Sequence, residues 1–151
     1  MKFSPLLSLA PALCASVLVA GCAASSNTPV RGEPAQLNGH SFMWTGGVSE
    51  DCELPPFIAF DEAGRVSGQA GCNRLLGQVA QDGLKVDFSN LGSTMKLCAP
   101  QFMKVERTFL DFLGRAAYAT QSLQTAGAVD LWTAEGEKIV TLVPEKPGKC
   151  D

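Results

Sequence analysis

The sequence predicts a mainly β domain of the α+β class, a compact antiparallel sheet of six to eight strands with one helix packed on it. Two observations favour this fold. Short segments in which apolar and polar residues alternate recur along the chain, and turns that contain glycine or proline separate them. One longer stretch, after Pro100, instead has apolar residues at every third or fourth position.

The first predicted strands lie between residues 37 and 69. Residues 37–44 are apolar-rich, and the sequence FIAF at 57–60 follows two prolines. Residues 61–64, Asp-Glu-Ala-Gly, are typical of a tight turn in which the glycine takes a positive φ. Because the chain then returns over 65–69, we expect a β-hairpin here.

A second hairpin is predicted between residues 76 and 88. The segment 76–80 leads to a turn at Gln81-Asp82-Gly83, and apolar and charged residues then alternate over 84–88. Since successive side chains of a strand point to opposite faces, the three apolar side chains of 84–88 should face the core.

The helix is predicted over 101–115. Its apolar residues recur at intervals of three and four and would form one buried face: Phe102, Val105, Phe109, Phe112, Leu113 and Ala116. Pro100 suits the first turn of a helix, where a backbone N–H has no partner within the helix. Strands are predicted again at 118–123, 129–133 and 138–143, with the last hairpin turn at 134–137.

The start of the chain has the features of an export signal. Lys2 is the only charged residue among the first thirty, and the apolar stretch after it predicts a signal peptide over 1–21. Small residues at 19–21 precede Cys22, which resembles the lipobox of bacterial lipoproteins, where this cysteine is acylated. The alternative is an ordinary secreted protein in which Cys22 stays unmodified. Cys14 is a poorer candidate because a bulky leucine precedes it.

The lipobox resemblance implies a membrane anchor at Cys22. Several acyl chains on one cysteine would hold the protein stably without a transmembrane helix. Residue 23 is alanine rather than aspartate, which by the same resemblance favours the outer membrane, with the domain facing the periplasm. Residues 22–35 are mostly small and polar and are predicted to form a flexible tether, and residues 36–151 to form one domain.

The charge of the chain restricts its partners. The sequence has 12 Lys and Arg residues and 15 Asp and Glu residues, for a formal net charge of −3. Loss of Lys2 with the signal peptide leaves 11 basic against 15 acidic residues, a net charge of −4. A mildly acidic chain without a basic run argues against nucleic acid as a partner.

Four cysteines remain in the predicted domain. An even number in an exported chain is typical of two disulfides, and Cys52, Cys72, Cys98 and Cys150 allow three pairings. We expect Cys72–Cys98 and Cys52–Cys150, although the residues alone leave the other pairings open. The chain has no C-x-x-C spacing, which argues against a thioredoxin-like redox pair and against a zinc knuckle.

Several motifs occur in the order found in one known family. They are Leu37-x-Gly39, FDEAGRVSGQAGCNRLLG at 60–77, STMKLC at 93–98 and Glu106-x-x-Phe109-Leu110. Together they resemble the META domain, as found in HslJ-like heat-shock lipoproteins of bacteria. The resemblance implies a partly closed, barrel-like sheet and an association with the cell envelope and with stress. The motif residues are expected to be structural: Asp61, Gly64, Gly68, Gly71, Cys72, Asn73, Thr94 and Cys98.

Three interpretations compete for the glycine-rich run at 64–77. A phosphate-binding loop would need the glycines to lead from a strand into a helix, whereas another strand is predicted to follow. A catalytic thiol would need a base, and the sole histidine, His40, lies in the first predicted strand. We favour the structural interpretation, in which the glycines permit a bend, Cys72 forms a disulfide and Asn73 caps the local turn.

No catalytic residue, cofactor or metal is expected. Glu50, Asp51 and Glu53 could hold a cation such as Ca²⁺, but most acidic runs of this kind are solvated loops. Asp61 and Glu62 are neighbours in a turn and should point apart, unlike the paired acids of a glycosidase. The sequence thus predicts a non-enzymatic envelope lipoprotein that takes part in a stress response or contacts another envelope protein. The alternative is a barrel that binds a small apolar or lipid ligand.

Overall fold

The computed structural model describes residues 28–47 and 55–146. In these ranges one antiparallel sheet of ten strands accompanies one α-helix and a short 3₁₀ helix at Thr45–Gly47. The elements in chain order are β1 Ser41–Met43, β2 Phe57–Phe60, β3 Arg65–Gln69, β4 Arg74–Gln78, β5 Ala80–Asp82, β6 Lys85–Asp87, β7 Leu91–Ser93, α1 Pro100–Arg115, β8 Tyr118–Gln121, β9 Val129–Trp132 and β10 Lys138–Pro144.

The sheet has two strands more than the upper limit predicted from the sequence. The strand predicted over 76–80 is in fact two strands, β4 and β5, which the single residue Val79 separates. The other addition is β7, whose three residues, Leu-Gly-Ser, are too few and too mixed to give a periodic signal. The second hairpin also turns later than expected, because Asp82 pairs with Lys85 and the turn therefore contains Gly83 and Leu84.

The break at Val79 explains the curled shape of the sheet. The strand order is β5-β6-β8-β9-β10-β1-β2-β3-β4-β7, so β5 forms one edge while β4 lies beside the other edge. Since one residue joins β4 to β5, the two edges must come close together, and the sheet curls into a half-barrel. Val79 is buried at this crossing, where its N–H donates to the carbonyl oxygen of Gly64 at 3.0 Å.

Antiparallel pairing places several connections at one end of the sheet, which we name the helix end. They include the β3–β4 turn at 70–73, the β9–β10 hairpin at 133–137, the segment 94–99 that follows β7, and the connection between Met43 of β1 and Phe57 of β2. The helix begins at this end, directly after residue 99. The turn at 61–64 and the β8–β9 connection at 122–128 lie at the opposite end.

The helix packs on the sheet through the face that the sequence predicted. Phe109 and Leu113 are buried, and Trp44, which follows β1, stacks on Phe109 with ring centroids 6.4 Å apart. Phe112 meets the same tryptophan edge to face at 5.0 Å, an arrangement that aromatic pairs prefer. The helix is confirmed within one residue of its predicted start. No helix in 28–47 or 55–146 is long and apolar enough to cross a lipid bilayer.

The predicted tether, 22–35, is wrong in its last part, because the chain already packs on the domain from Val30 onward. Val30 is 4% exposed and Ala35 is 1% exposed. The reason is that β6 pairs with β8 only at Tyr118, which leaves the rest of β8 free to bond another segment. The Ala35 N–H donates to the Ala119 carbonyl at 3.1 Å, and the Gln121 N–H donates to the Glu33 carbonyl at 2.9 Å. Residues 22–27 lie outside the described residues.

We predict that Val30→Ala lowers the free energy of unfolding by about 2 kcal/mol, since it removes two buried methyl groups and leaves a cavity. Urea denaturation measures the change. The control is Leu123→Ala, because Leu123 is 98% exposed and its loss should alter stability by less than about 0.5 kcal/mol. Equal unfolding midpoints for Val30→Ala and the unsubstituted chain would mean that this segment does not pack on the domain.

Candidate functional site

The cysteine and asparagine of the glycine-rich run lie in the β3–β4 turn at the helix end. Cys72 forms a disulfide with Cys98, with the two Cα atoms 5.9 Å apart. This bond closes a loop of 26 residues, for which the chain-entropy estimate is about 3 to 4 kcal/mol of stabilisation. The predicted Cys72–Cys98 pairing is therefore present in the structure, whereas Cys52 and Cys150 lie outside the described residues, as does the acidic run near Cys52.

Asn73 makes the contacts that organise this end of the molecule. Its side chain is 1% exposed, and the amide oxygen accepts hydrogen bonds from Thr94 Oγ1 at 2.8 Å and from the Lys96 N–H at 2.7 Å. The amide nitrogen donates to the Lys96 carbonyl at 3.1 Å and to Glu106 Oε1 at 3.0 Å. All four hydrogen-bonding positions of the amide are thus occupied.

The predicted role of Asn73 as a cap of its own turn is wrong. The local bond at this turn comes from the backbone, since the Ala70 N–H donates to the Asn73 carbonyl at 2.8 Å. The side chain instead joins the β3–β4 turn to the segment after β7 and to the helix. We name this group the Asn73 cluster: Asn73, Thr94, the backbone of Lys96, Glu106 and the Cys72–Cys98 disulfide.

Glu106 is the member of the cluster whose role the sequence analysis missed. It is 6% exposed on the helix, and its second oxygen, Oε2, accepts the Asn73 N–H at 2.7 Å. Both carboxylate oxygens are therefore hydrogen-bonded to a single residue. The sequence does contain a signal for this buried role, since the spacing of Glu106 places it on the same helix face as Phe109 and Leu113. A carboxylate in a core stripe needs a buried partner.

The glycines beside the cluster serve close packing. At Gly71, where φ is 142°, a β-carbon would lie 3.0 Å from the Phe102 carbonyl oxygen and 3.1 Å from the Glu106 nitrogen. The helix backbone therefore rests directly on this turn. At Gly68, in β3, a β-carbon would overlap the carbonyl oxygen of Phe57 in the neighbouring strand. These contacts support the structural interpretation of the run over the phosphate-loop interpretation.

The remaining motif residues, Asp61 and Gly64, lie at the opposite end of the sheet. Asp61 Oδ1 accepts the N–H groups of Ala63 at 2.8 Å and Arg65 at 2.9 Å, and Gly64 has the predicted positive φ, 77°. Arg65 Nε also donates to Oδ2 at 2.6 Å. The motif is thus divided between a turn at one end and the Asn73 cluster at the other, and no single site contains all of its residues.

The side chains that other chemistry would require do not converge. His40 Nδ1 lies 2.8 Å from the Asn38 carbonyl oxygen, away from the disulfide and the cluster. In the described part of the chain, no three His, Cys, Asp or Glu side chains come together as a metal site would require. Open clefts of about 350 Å³ and 290 Å³ occur beside the β5–β6 hairpin and between β1 and the β8–β9 connection, and neither is lined by cluster residues.

Comparison with known proteins decides the family. The profile of the META domain matches residues 35–146. The chain belongs to the META domain family. The matched residues include all eight motif positions, so the Asn73 cluster and the Asp61 turn are parts of a META domain.

Two solved structures resemble this META domain. One is the NMR structure of a protein from Burkholderia xenovorans, with a TM-score of 0.60 and 21% identity over 78% of this chain and 94% of that one. The other, also an NMR structure, has a TM-score of 0.48 and 29% identity, and the match covers 69% of this chain and 87% of that one. The first likeness supports the fold of the domain. A search of curated proteins found no match.

We predict that Glu106→Ala lowers the free energy of unfolding of the META domain by about 2 to 4 kcal/mol. The substitution leaves the backbone N–H of Asn73 and one N–H of its side-chain amide buried without an acceptor. Asp111→Ala is the matched control on the same helix, because Asp111 is exposed and its ion pair with Arg115 should contribute less than about 0.5 kcal/mol. Chemical denaturation measures both, and equal losses in the two variants would contradict the cluster.

We predict that Arg65→Gln raises the pKa of Asp61 towards its ordinary value of 3.8. The guanidinium of Arg65 and the N–H groups of Arg65 and Ala63 hold this pKa below that value in the folded protein. The folded pKa is below the unfolded one, so the stabilisation is complete above about pH 3.8 and is lost as pH falls through the folded pKa. NMR titration of the carboxyl carbons gives the measurement.

Asp87 is the internal control for this titration. Its pKa is also lowered, in this case by hydrogen bonds from Ser89, and Arg65→Gln should leave it unchanged. An Asp61 pKa that does not respond to Arg65→Gln would show that the ion pair is absent in solution.

Proposed function

We propose that this META domain protein is a non-enzymatic lipoprotein of the bacterial envelope. Acylated Cys22 anchors it in the outer membrane, and the domain faces the periplasm. The observation that carries the proposal is the Cys72–Cys98 disulfide within the Asn73 cluster. A structural disulfide favours an oxidising compartment. This agrees with the signal peptide and lipobox that the first 22 residues predict.

The geometry of the cluster supports a role without catalysis. Cys72 is bonded to Cys98 and carries no free thiol, and Asn73 and Glu106 direct their polar atoms at each other in a buried site. A nucleophile must instead be accessible and lie beside a base. The motif residues at this end of the domain therefore stabilise the fold, and the surface of the domain is left to perform the function.

We infer that this function is contact with another envelope component, in an HslJ-like response to stress. Membership of the META family supports it. The alternative, a carrier of a small apolar ligand, needs an empty interior. Ile58, Leu75 and Phe109 are fully buried in one hydrophobic core, and the two clefts described above are open to solvent. Protein contact is therefore favoured over ligand transport.

The anchor is tested by expression of the full chain in a Gram-negative host, followed by intact-mass measurement. We expect a chain that begins at Cys22 and carries the added mass of a diacylglycerol and an N-linked acyl group. Cys22→Ala should abolish this added mass, and Cys14→Ala, the matched control, should retain it. Full acylation of the Cys22→Ala chain would contradict the proposal.

A partner is sought by crosslinking in intact envelopes, with lipid analysis of the same purified material. Co-purified lipid in stoichiometric amount, with no crosslinked protein, would instead establish the carrier.

A further inference from the structure

The segment after β7 exposes the largest apolar side chains at the helix end. Met95 is 96% exposed and Leu97 is 95% exposed, and Lys96 lies between them. A single exposed apolar side chain is ordinary on a protein surface. Two that are almost completely exposed, and only two residues apart, form a protruding apolar tip.

This tip is held in a fixed conformation. The N–H and the carbonyl of Lys96 both bond to the buried Asn73 amide, at 2.7 Å and 3.1 Å. Thr94 is bonded to the same amide and Cys98 is fixed by the disulfide. Because the chain is held at 94, 96 and 98, the side chains of Met95 and Leu97 remain directed outward. A contact made by this segment would require little further ordering of the backbone.

The predicted anchor enters the domain at the same end. Pro29 packs on the β9–β10 hairpin, where a β-carbon at Gly136 would lie 3.0 Å from Pro29 Cβ. This hairpin and the segment 94–99 both lie at the helix end. Only six peptide units join Cys22 to residue 28, and they span at most about 22 Å when fully extended. An acyl anchor at Cys22 therefore holds the helix end close to the bilayer.

The charges around the tip suit a phospholipid surface. Lys96 is exposed in the tip, and Arg74 is exposed at the start of β4, where its N–H bonds to Thr94 Oγ1 at 3.1 Å. Two cations beside the tip are a local exception in a chain of net charge −3. Glu135 and Glu137 are exposed in the β9–β10 hairpin at the same end, so the basic charge is confined to the part of this end that carries β4 and the tip. Apolar side chains flanked by basic ones are typical of surfaces that bind the membrane interface.

We propose that residues 94–98 are a membrane-contact element, in which Met95 and Leu97 insert into the bilayer interface and Lys96 and Arg74 contact lipid phosphates. The inference rests on the proposed acylation of Cys22, which supplies the tether. It adds a fixed orientation to that proposal, since the helix end faces the lipid and the end that carries the 61–64 turn faces the periplasm.

The test measures methionine oxidation in the full acylated chain. The chain carries Leu123→Met and is reconstituted in vesicles of phosphatidylethanolamine and phosphatidylglycerol. Residue 123 is 98% exposed and lies at the opposite end of the sheet, so the proposed orientation keeps it in solvent and makes it the reference side chain. Dilute hydrogen peroxide converts each methionine to its sulfoxide, and peptide mass spectrometry follows the two rates.

We expect Met95 to oxidise at least five times more slowly than Met at position 123. Leu97→Ser in the same background should bring the two rates closer together, because it weakens insertion of the tip. Vesicles with fewer than one chain each should retain the protection, whereas protection lost on dilution would assign the surface to a second copy of the chain and overturn the proposal.

Other outcomes also decide between the proposals. Equal oxidation rates at residues 95 and 123 in an acylated chain would overturn the membrane contact but would not contradict the proposed anchor at Cys22. Equal rates in vesicles together with slow oxidation of Met95 in whole envelopes would assign the tip to a protein partner, which also overturns it. The intact mass of the same sample reports acylation independently, so an unacylated chain would count against the proposed function whatever the oxidation rates are.

Discussion

The fold depends on one buried amide that joins three segments distant in sequence. Asn73 bonds to residues 94 and 96, more than 20 positions away, and to Glu106, 33 positions away. A buried polar group that loses its partner costs about 1 to 3 kcal/mol. Because displacement of the β3–β4 turn, the segment after β7 or the helix would break a bond of Asn73, the three segments stabilise one another's positions. The Cys72–Cys98 bond restrains two of these segments covalently at the same place.

The buried carboxylate of Glu106 contributes mainly to specificity. Removing a charge from water costs several kcal/mol, and hydrogen bonds from one asparagine only offset this cost. An apolar residue in its place would avoid this cost but would leave two donors of Asn73 without an acceptor. Such a residue would also no longer fix the position of the helix along the β3–β4 turn. The two carboxylate oxygens of Glu106 do so, because they accept hydrogen bonds from the N–H and the side-chain amide of the same residue, Asn73. Gly71 permits the close approach of the helix backbone to the turn. Gly71, Asn73 and Glu106 together therefore determine where the helix packs on the sheet.

The sequence predicted those features that depend on local pattern. The helix, the hairpin that turns at 61–64 and the strands after the helix follow from periodicity and turn residues, and the structure contains them. The features it failed to predict depend on distant partners. Val79 divides the segment 76–80, which the sequence predicted to be one strand, because the two edges of the sheet meet there. Residues 33–35 bond to β8 because β6 leaves that strand partly unpaired. The bonding of Asn73 was missed for the same reason, since an asparagine in a glycine-rich turn favours a local cap.

The disulfide and the hydrogen bonds of Asn73 restrain a segment that adds little to the core. In residues 94–98 only Thr94 is even partly buried, and both large apolar side chains face outward. Restraints that served the core alone would fix segments that bury apolar area, as they do in the helix through Phe109 and Leu113. Here a disulfide and three hydrogen bonds from one buried side chain fix a segment whose side chains contact solvent. Ordering an exposed segment costs conformational entropy and returns little from burial. The outward-facing side chains of this segment are therefore consistent with the membrane contact proposed for residues 94–98.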